Sequence, residues 1–466
     1  MKCNVRILDI SIKNLKNLNF GNIEFNSRKQ VLKGAFDFEK SDIVGIYGQN
    51  GSSKSTVINA FSILKKLFSG KTLSAELLNY VSKTENESEL CINFFIETNS
   101  NNYIVEYKVV FTIDEQRVKA SIKTESISYK KYNGGSWTKI APIFIINNED
   151  LSNFITPKTN YSKLTKDNKE IISQLLVLKG EKSSGNFSFI FSEEFKNIIN
   201  NVEDFKHCAT FIDRIKIYSV HYMHLYDNRE ISKITALDTI PFFYKTEDRN
   251  TVNSTEGYLT LFNDGKISIK HEDTIKEYIK EINIVLDKLI PGVVVGIENL
   301  GETLDKDGEK CFKYQFISIK NGFSIPLRFE SDGIKKMVSL LSSLIDAFNN
   351  PYSILIIDEF DSGIFEYLLG VILDIFKTKG VGQLLFTSHN LRALEIVQDD
   401  IIFTTNNPND RFVKLPYVQS SNNLRRKYLR DLFLNETECL SNKIDGYDIY
   451  RAFKEAGDLC LYGEKD

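Results

Sequence analysis

Two hydrophobic periods run along this chain. Up to residue 47 the apolar positions form short strand-like runs, Ile7 to Ile12 and Ile23 to Phe25. Ile43-Val44-Gly45-Ile46-Tyr47 is apolar without interruption and reads as a strand buried on both faces. After the loop at 48–55, Val57, Ile58, Phe61, Leu64, Leu67 and Phe68 recur at helical spacing as far as Gly70. Residues 91–129 alternate as antiparallel hairpins, with Val105, Tyr107, Val109 and Phe111 on one face and Asp114-Glu115-Gln116 as a polar tip. From 147 to 240 the composition turns towards Asn, Lys, Ser and Glu with helical stretches, and Gly180 to Asn186 reads as a loop. Ile275, Ile279, Ile282, Leu286 and Leu289 predict a helix that starts at a Thr274/Glu277 capping box and stops at Pro291-Gly292. Asn321-Gly322 marks a hairpin. No repeat and no sustained heptad pattern is present, which argues against a long coiled-coil arm.

Composition narrows the class. The 466 residues are 42% hydrophobic and 12% aromatic, which excludes a disordered chain. With 59 Lys+Arg against 62 Asp+Glu, a wholly basic nucleic-acid binder is excluded as well, though a local basic groove is not. Arg425-Arg426-Lys427-Tyr428-Leu429-Arg430 is the strongest basic cluster; it reads equally as a contact for nucleic acid and as a solvated helix face. Cys3, Cys91, Cys208, Cys311, Cys439 and Cys460 are scattered, with no C-x-x-C pair, and read as reduced thiols. The first residues lack the apolar core of a secretion signal, and no apolar run is long enough for a membrane span. The expectation is a cytoplasmic protein with no membrane contact.

The chemistry concentrates at four places. Gly48-Gln49-Asn50-Gly51-Ser52-Ser53-Lys54-Ser55, followed by Thr56, nearly satisfies G-x-x-x-x-G-K-[ST] between a strand and a helix. In such a loop the backbone N–H groups surround phosphates, Lys54 reaches the β- and γ-phosphates, and Ser55 ligates Mg²⁺. Ser53 departs from the pattern, because glycine is usual there. Ile354 to Ile357 is an apolar strand that ends in Asp358 and Glu359, placed to hold the Mg²⁺ shell and to act as general base; a strand ending at a polar surface is the plainer reading. Leu384 to Thr387 is a second such strand, and it leads to His389, which suits γ-phosphate contact or an ordinary structural role. Ser331-Asp332-Gly333 opens an apolar helix, either as a second phosphate cradle or as a simple cap. His221 and His224, with Asp213 and Asp227 nearby, suit a packed helical pair better than a metal site.

Taken in order, these four elements resemble the ABC-type ATPase heads of the SMC, RecF and OLD group, in particular bacterial AAA-family ATP-binding proteins. Gly48-Gln49-Asn50-Gly51 is similar to that group's G-x-N-G opening, and Ser331-Asp332-Gly333 to its signature motif. Asp358-Glu359-Phe360-Asp361-Ser362-Gly363 resembles Walker B running into the D-loop, and Thr387-Ser388-His389-Asn390 the switch-histidine motif. Ile10 to Lys16 is similar to the first strand of RecF-like heads. The glutamine that normally follows the first lobe has no clear counterpart, since Gln116 sits on a hairpin tip.

The resemblance implies an α/β fold: an ABC-type P-loop ATPase head with an antiparallel β-lobe and an inserted, mainly helical subdomain. The expected division is 1–146 for the first half of the head and 147–300 for the insertion. Residues 301–405 would form the second half and 406–466 an appendage. It also implies ATP and Mg²⁺ as ligands, and a head-to-head homodimer or higher homo-oligomer. Each site would combine Lys54, Asp358 and Glu359 of one subunit with Ser331 and Gly333 of the other. Proteins of this kind regulate a separate effector, a nuclease or toxin, in anti-phage defence, and no nuclease motif is evident after His389. The alternatives are a DNA-repair ATPase that clamps DNA and an ATP-dependent scaffold that does not hydrolyse.

Overall fold

The computed structural model describes residues 4–414, apart from 50, 74, 83–84, 99–100, 115, 117–118, 151–152, 167–168, 248–251, 263–264, 305–306, 406 and 408–410, together with 446–462. The Arg425–Arg430 cluster and Asn50 therefore lie outside the described residues.

A parallel sheet forms the centre. Its strands lie in the order Ile401–Thr404, Asp42–Tyr47, Gln383–Thr387, Ile354–Ile357 and Met223–Tyr226, and Phe412–Val413 adds antiparallel at the first edge. Successive side chains point to opposite faces, so one strand feeds two cores. Val44, Ile46, Ile354 and Ile356 enter the core shared with the antiparallel lobe, whereas Ile43, Tyr47, Leu355 and Ile357 enter the core on the other side. Both faces are covered, which is why these runs are apolar throughout.

The antiparallel lobe has seven strands, ordered Leu18–Glu24, Val5–Leu15, Glu87–Glu97, Asn102–Ile113, Ala120–Lys131, Ala141–Asn147 and Ile155–Thr156. Gln116 is exposed in the turn between the fourth and fifth of these. The helix Lys54–Phe68 is sandwiched between lobe and central sheet and buries Val57, Phe61, Leu64, Leu67 and Phe68. Each such side chain contributes roughly 1.5–3 kcal/mol relative to leaving it in water. Two buried polar groups tie lobe to sheet. The Gln383 amide donates to Ile7 O (2.8 Å) and accepts from Ile7 N (3.0 Å), where a bulge interrupts the first strand. Arg6, almost fully buried, faces Asp42 and donates to Val381 O at 3.1 Å.

Between 147 and 300 helices alternate with strands. Met223–Tyr226 does not belong to a detached insertion: it pairs in parallel with Ile354–Ile357 and completes the central sheet. A four-residue run containing a histidine carries too little periodicity to show this from sequence. Gly180 to Gly185, read from sequence as a loop, continues the helix Lys169–Gly185. The helix Glu272–Leu289 starts two residues ahead of Thr274, after His271, so the predicted capping box lies within the helix and not at its start. Pro291-Gly292 does follow its end. Asn321 and Gly322 both have positive φ (50° and 80°), the pair of values a two-residue hairpin turn requires.

Candidate functional site

The loop after Asp42–Tyr47 is shaped by close backbone approach and left-handed residues. A Cβ on Gly48 would lie 1.7 Å from Thr404 Oγ1, so no side chain fits there. Gly51 and Ser53 both have positive φ, at 79° and 76°. The Ser52 hydroxyl closes the turn by donating to Gln49 O (2.6 Å), and Thr404 Oγ1 lies 2.5 Å from that hydroxyl and 3.1 Å from Tyr47 O. The Lys54 ammonium donates to Gly48 O and Gln49 O at 2.8 Å each, curling over the same loop. Ser55 is half-buried at the helix start, and Thr56 is buried with its N–H on Ser53 O. The helix N-terminus that follows this loop favours a bound anion.

Asp358 and Glu359 follow Ile354–Ile357 directly, at the carboxyl end of the parallel sheet, where such sheets bind ligands. One hydroxyl orders both. Thr387 Oγ1 donates to Asp358 Oδ1 (2.6 Å) and accepts from Glu359 N (2.7 Å). Glu359 is left-handed (φ 48°), a conformation that costs on the order of 1–3 kcal/mol for a residue with a side chain. It is held at both ends, by Thr387 on its N–H and by Lys336 Nζ on its carbonyl (2.7 Å). His389 donates its backbone N–H to Asp361 Oδ2 at 3.1 Å.

Electrostatics places these groups in one neighbourhood. Desolvation lowers the Lys54 pKa, and the charges of Asp358, Glu359 and Asp361 pull it back up. Desolvation and then the Lys54 charge lower the His389 imidazole, against the same three carboxylates. The strands thus bring Lys54, Asp358, Glu359 and His389 together. Ser331 and Gly333 line a cleft of about 480 Å³ with Lys288, Met337, Gly363 and Phe365, and this cleft includes no residue of the loop at 48–55. Ser331 caps the helix Asp332–Asn349 through Ile334 N (3.4 Å).

The donor set suits ATP with Mg²⁺. A hydroxyl and a carboxylate, Ser55 and Asp358, are the hard oxygen ligands that Mg²⁺ takes beside phosphate oxygens and water. Asp361 Oδ1 is buried without a hydrogen-bond partner among the described residues and offers a further acceptor to a ligand's solvent shell. By contrast, His221 bonds Ser254 Oγ (2.6 Å) and His224 bonds Asp346 (2.8 Å), so the two histidines serve different partners. His221 ends a helix whereas His224 lies on the edge strand, and among the described residues no cluster of three or more His, Cys, Asp or Glu could hold a metal.

Four residues gained roles that sequence reasoning did not assign: Thr387, Lys336, Asp361 and Asn17. Of these, Lys336 had the clearest signal, a lysine on the apolar stripe of the Asp332 helix. Its ammonium is buried and donates to the carbonyls of Glu359, Phe360 and Ser362 at 2.7, 3.2 and 2.9 Å, joining that helix to the turn after Asp358. Burial pushes its pKa from 10.5 down to about 8, against the pull of Asp361, Glu359 and Asp358. Below about 8 the amine is protonated in the folded and unfolded states alike. Above that value the folded state sheds the proton first, so the unfolded state binds more protons and stability rises with pH. Wild type is therefore expected to gain on the order of 1–3 kcal/mol over Lys336→Met between about pH 7 and about pH 10. Denaturant unfolding of both proteins across that range checks it, and a pH-independent difference would refute it.

Residues 43–395, well over half of the chain, match the family model described as "AAA domain, putative AbiEii toxin, Type IV TA system". No curated protein matches the sequence. Among solved structures, the chain is similar to the Smc head domain of Pyrococcus yayanosii with a coiled coil and joint, at 12% identity and TM-score 0.40, over 91% of this chain and 99% of that one. It is also similar to the Pyrococcus furiosus Smc head bound to the C-terminal domain of ScpA, at 13% identity and TM-score 0.39, over 88% and 96%. The SMC head domain from Thermotoga maritima aligns at 12% identity and TM-score 0.35, over 88% and 100%. With a glycine-rich loop between strand and helix, a strand ending in paired carboxylates and a family match spanning both, the chain belongs to this AAA-domain family.

Proposed function

We propose that the chain is a Mg²⁺-dependent ATPase whose heads pair around ATP and which regulates a separate effector. One observation carries the reading: Lys54, Asp358, Glu359 and His389, drawn from three different strand ends, share one electrostatic neighbourhood beside the left-handed loop. Residues 48–56 would cradle the phosphates, with Lys54 on the β- and γ-groups. Ser55 and Asp358 would hold Mg²⁺, which when bound neutralises charge on the phosphate oxygens. Glu359 is the general base for the attacking water, and His389 contacts the γ-phosphate. Its lowered pKa keeps the imidazole neutral at physiological pH, able to donate one hydrogen bond and accept another.

The cleft that Ser331 and Gly333 line holds no residue of the phosphate loop, which favours pairing, because a second copy would bring a phosphate to this helix start. The family description's reference to a putative toxin of a type IV toxin–antitoxin system favours a role beside a toxin or nuclease over one in DNA repair.

Binding of MgATP and release of phosphate by wild type and Lys54→Ala test the proposal. Hydrogen bonds to charged groups are worth about 1.5–3 kcal/mol, so Lys54→Ala is expected to weaken MgATP binding about 10- to 100-fold and to stop turnover. Equal binding and hydrolysis in the two proteins would sink it.

A further inference from the structure

Ser53 stands where the phosphate-loop pattern puts glycine, and its backbone is left-handed (φ 76°, ψ 13°). Gly51, two residues earlier, is left-handed as well (φ 79°). Glycine adopts this conformation freely, while a residue with a Cβ is strained in it. A serine at this position needs a partner that holds it, and a single side chain meets both residues. Asn17 lies in the turn between the lobe strands Val5–Leu15 and Leu18–Glu24. Its Nδ2 donates to Gly51 O at 2.7 Å, and its Oδ1 accepts from Ser53 Oγ at 2.8 Å. Chemistry settles the orientation of the amide, since the Gly51 carbonyl can only accept and must face the nitrogen. Asn17 is itself anchored. Its carbonyl accepts from a guanidinium nitrogen of Arg411 at 2.9 Å, while another nitrogen of that buried side chain donates to Thr405 O at 2.6 Å.

We infer that Asn17 is a positioning residue for nucleotide binding: its amide clips the two left-handed residues of the loop together and so sets the direction of the N–H groups that face the phosphates. The inference rests on the nucleotide reading and adds a dependence that reading does not contain. With serine at 53 the clip is required; with glycine there, the left-handed backbone is available without it. The departure from the loop pattern and the polar residue in a distant turn are two halves of one device, 36 positions apart.

The test is a mutant cycle of wild type, N17A, S53G and N17A/S53G, read by titration with a fluorescent ADP and Mg²⁺ and by thermal melting without nucleotide. N17A is expected to bind ADP about tenfold more weakly, equivalent to about 1.4 kcal/mol. S53G sets its own reference affinity, and the double variant should stay within about threefold of it, because glycine removes the need for the clip. ADP affinity unchanged in N17A, or a double variant about tenfold weaker than S53G, would overturn the inference. If wild type binds no ADP, the nucleotide reading fails on its own account and the melting curves decide the clip. N17A must then melt lower than wild type, and S53G must restore the loss in that background; no restoration overturns it.

Discussion

Glu359→Gln is expected to lower ATP turnover about a thousandfold while MgATP affinity stays within a few-fold of wild type. A positioned general base typically contributes 10²–10⁴-fold, and the amide keeps the size of the carboxylate while losing its basicity. The local geometry should survive the change. Contacts from Thr387 Oγ1, Lys336 Nζ and Ser362 N hold residue 359 in its left-handed conformation; all three are to its backbone and none involves the side chain. Because the variant keeps ATP, it should also accumulate the paired state, so light scattering should register a doubling of mass with MgATP and none with MgADP. Phosphate release within about tenfold of wild type would reassign the base. A monomeric mass with MgATP would remove pairing from the proposal.

The second large effect is expected at Gly333. A Cβ built there would lie 2.0 Å from the Gly363 carbonyl oxygen, a backbone atom that has no rotamer through which to retreat. Gly363 is itself left-handed (φ 74°), so neither backbone yields easily. Gly333→Ala is expected to cost about 1–3 kcal/mol through overpacking and to displace the turn that follows Glu359. Turnover should fall more than MgATP affinity, since the displaced turn follows Glu359 and no residue of the loop at 48–56 lines the cleft at Gly333. Asp332→Ala, at an exposed position that forms an ion pair with Lys335, is the control and should stay within about 0.5 kcal/mol. A Gly333→Ala protein with wild-type melting and turnover would show that the close contact is dispensable.

The Gly333 contact also alters how its sequence motif is understood. Read from sequence, Ser331-x-Gly333 was either a phosphate cradle or a cap. In the folded chain Ser331 does cap its helix, and Gly333 is needed where the helix meets the turn after Asp358. Both features serve the chain's own architecture, and neither conflicts with a γ-phosphate arriving from a second copy.

What could be read from sequence was what nearest neighbours along the chain dictate. Alternation at Val105 to Phe111, the Asn321-Gly322 turn and the unbroken strands before Gly48 and Asp358 follow from periodicity and local dihedral preference. The cap of the helix starting at Glu272 was placed three residues late, at Thr274 and not His271, because several polar residues there suit a cap equally well. The Gly180 segment was misread because glycine weakens a helix without forbidding it.

By itself, the sequence determined that a glycine-rich loop, a carboxylate pair and a histidine each follow a buried strand, because those side-chain types and glycines act within a few residues of one another. Only the tertiary structure decided that Met223–Tyr226 completes the central sheet and that Thr387 orders both carboxylates. The same holds for Lys336 fastening the turn beyond them and Asn17 supporting Ser53. Each of these depends on a hydrogen bond between residues 23 or more positions apart, or on strand pairing across more than a hundred, and no local pattern encodes which distant partner a buried polar group must find.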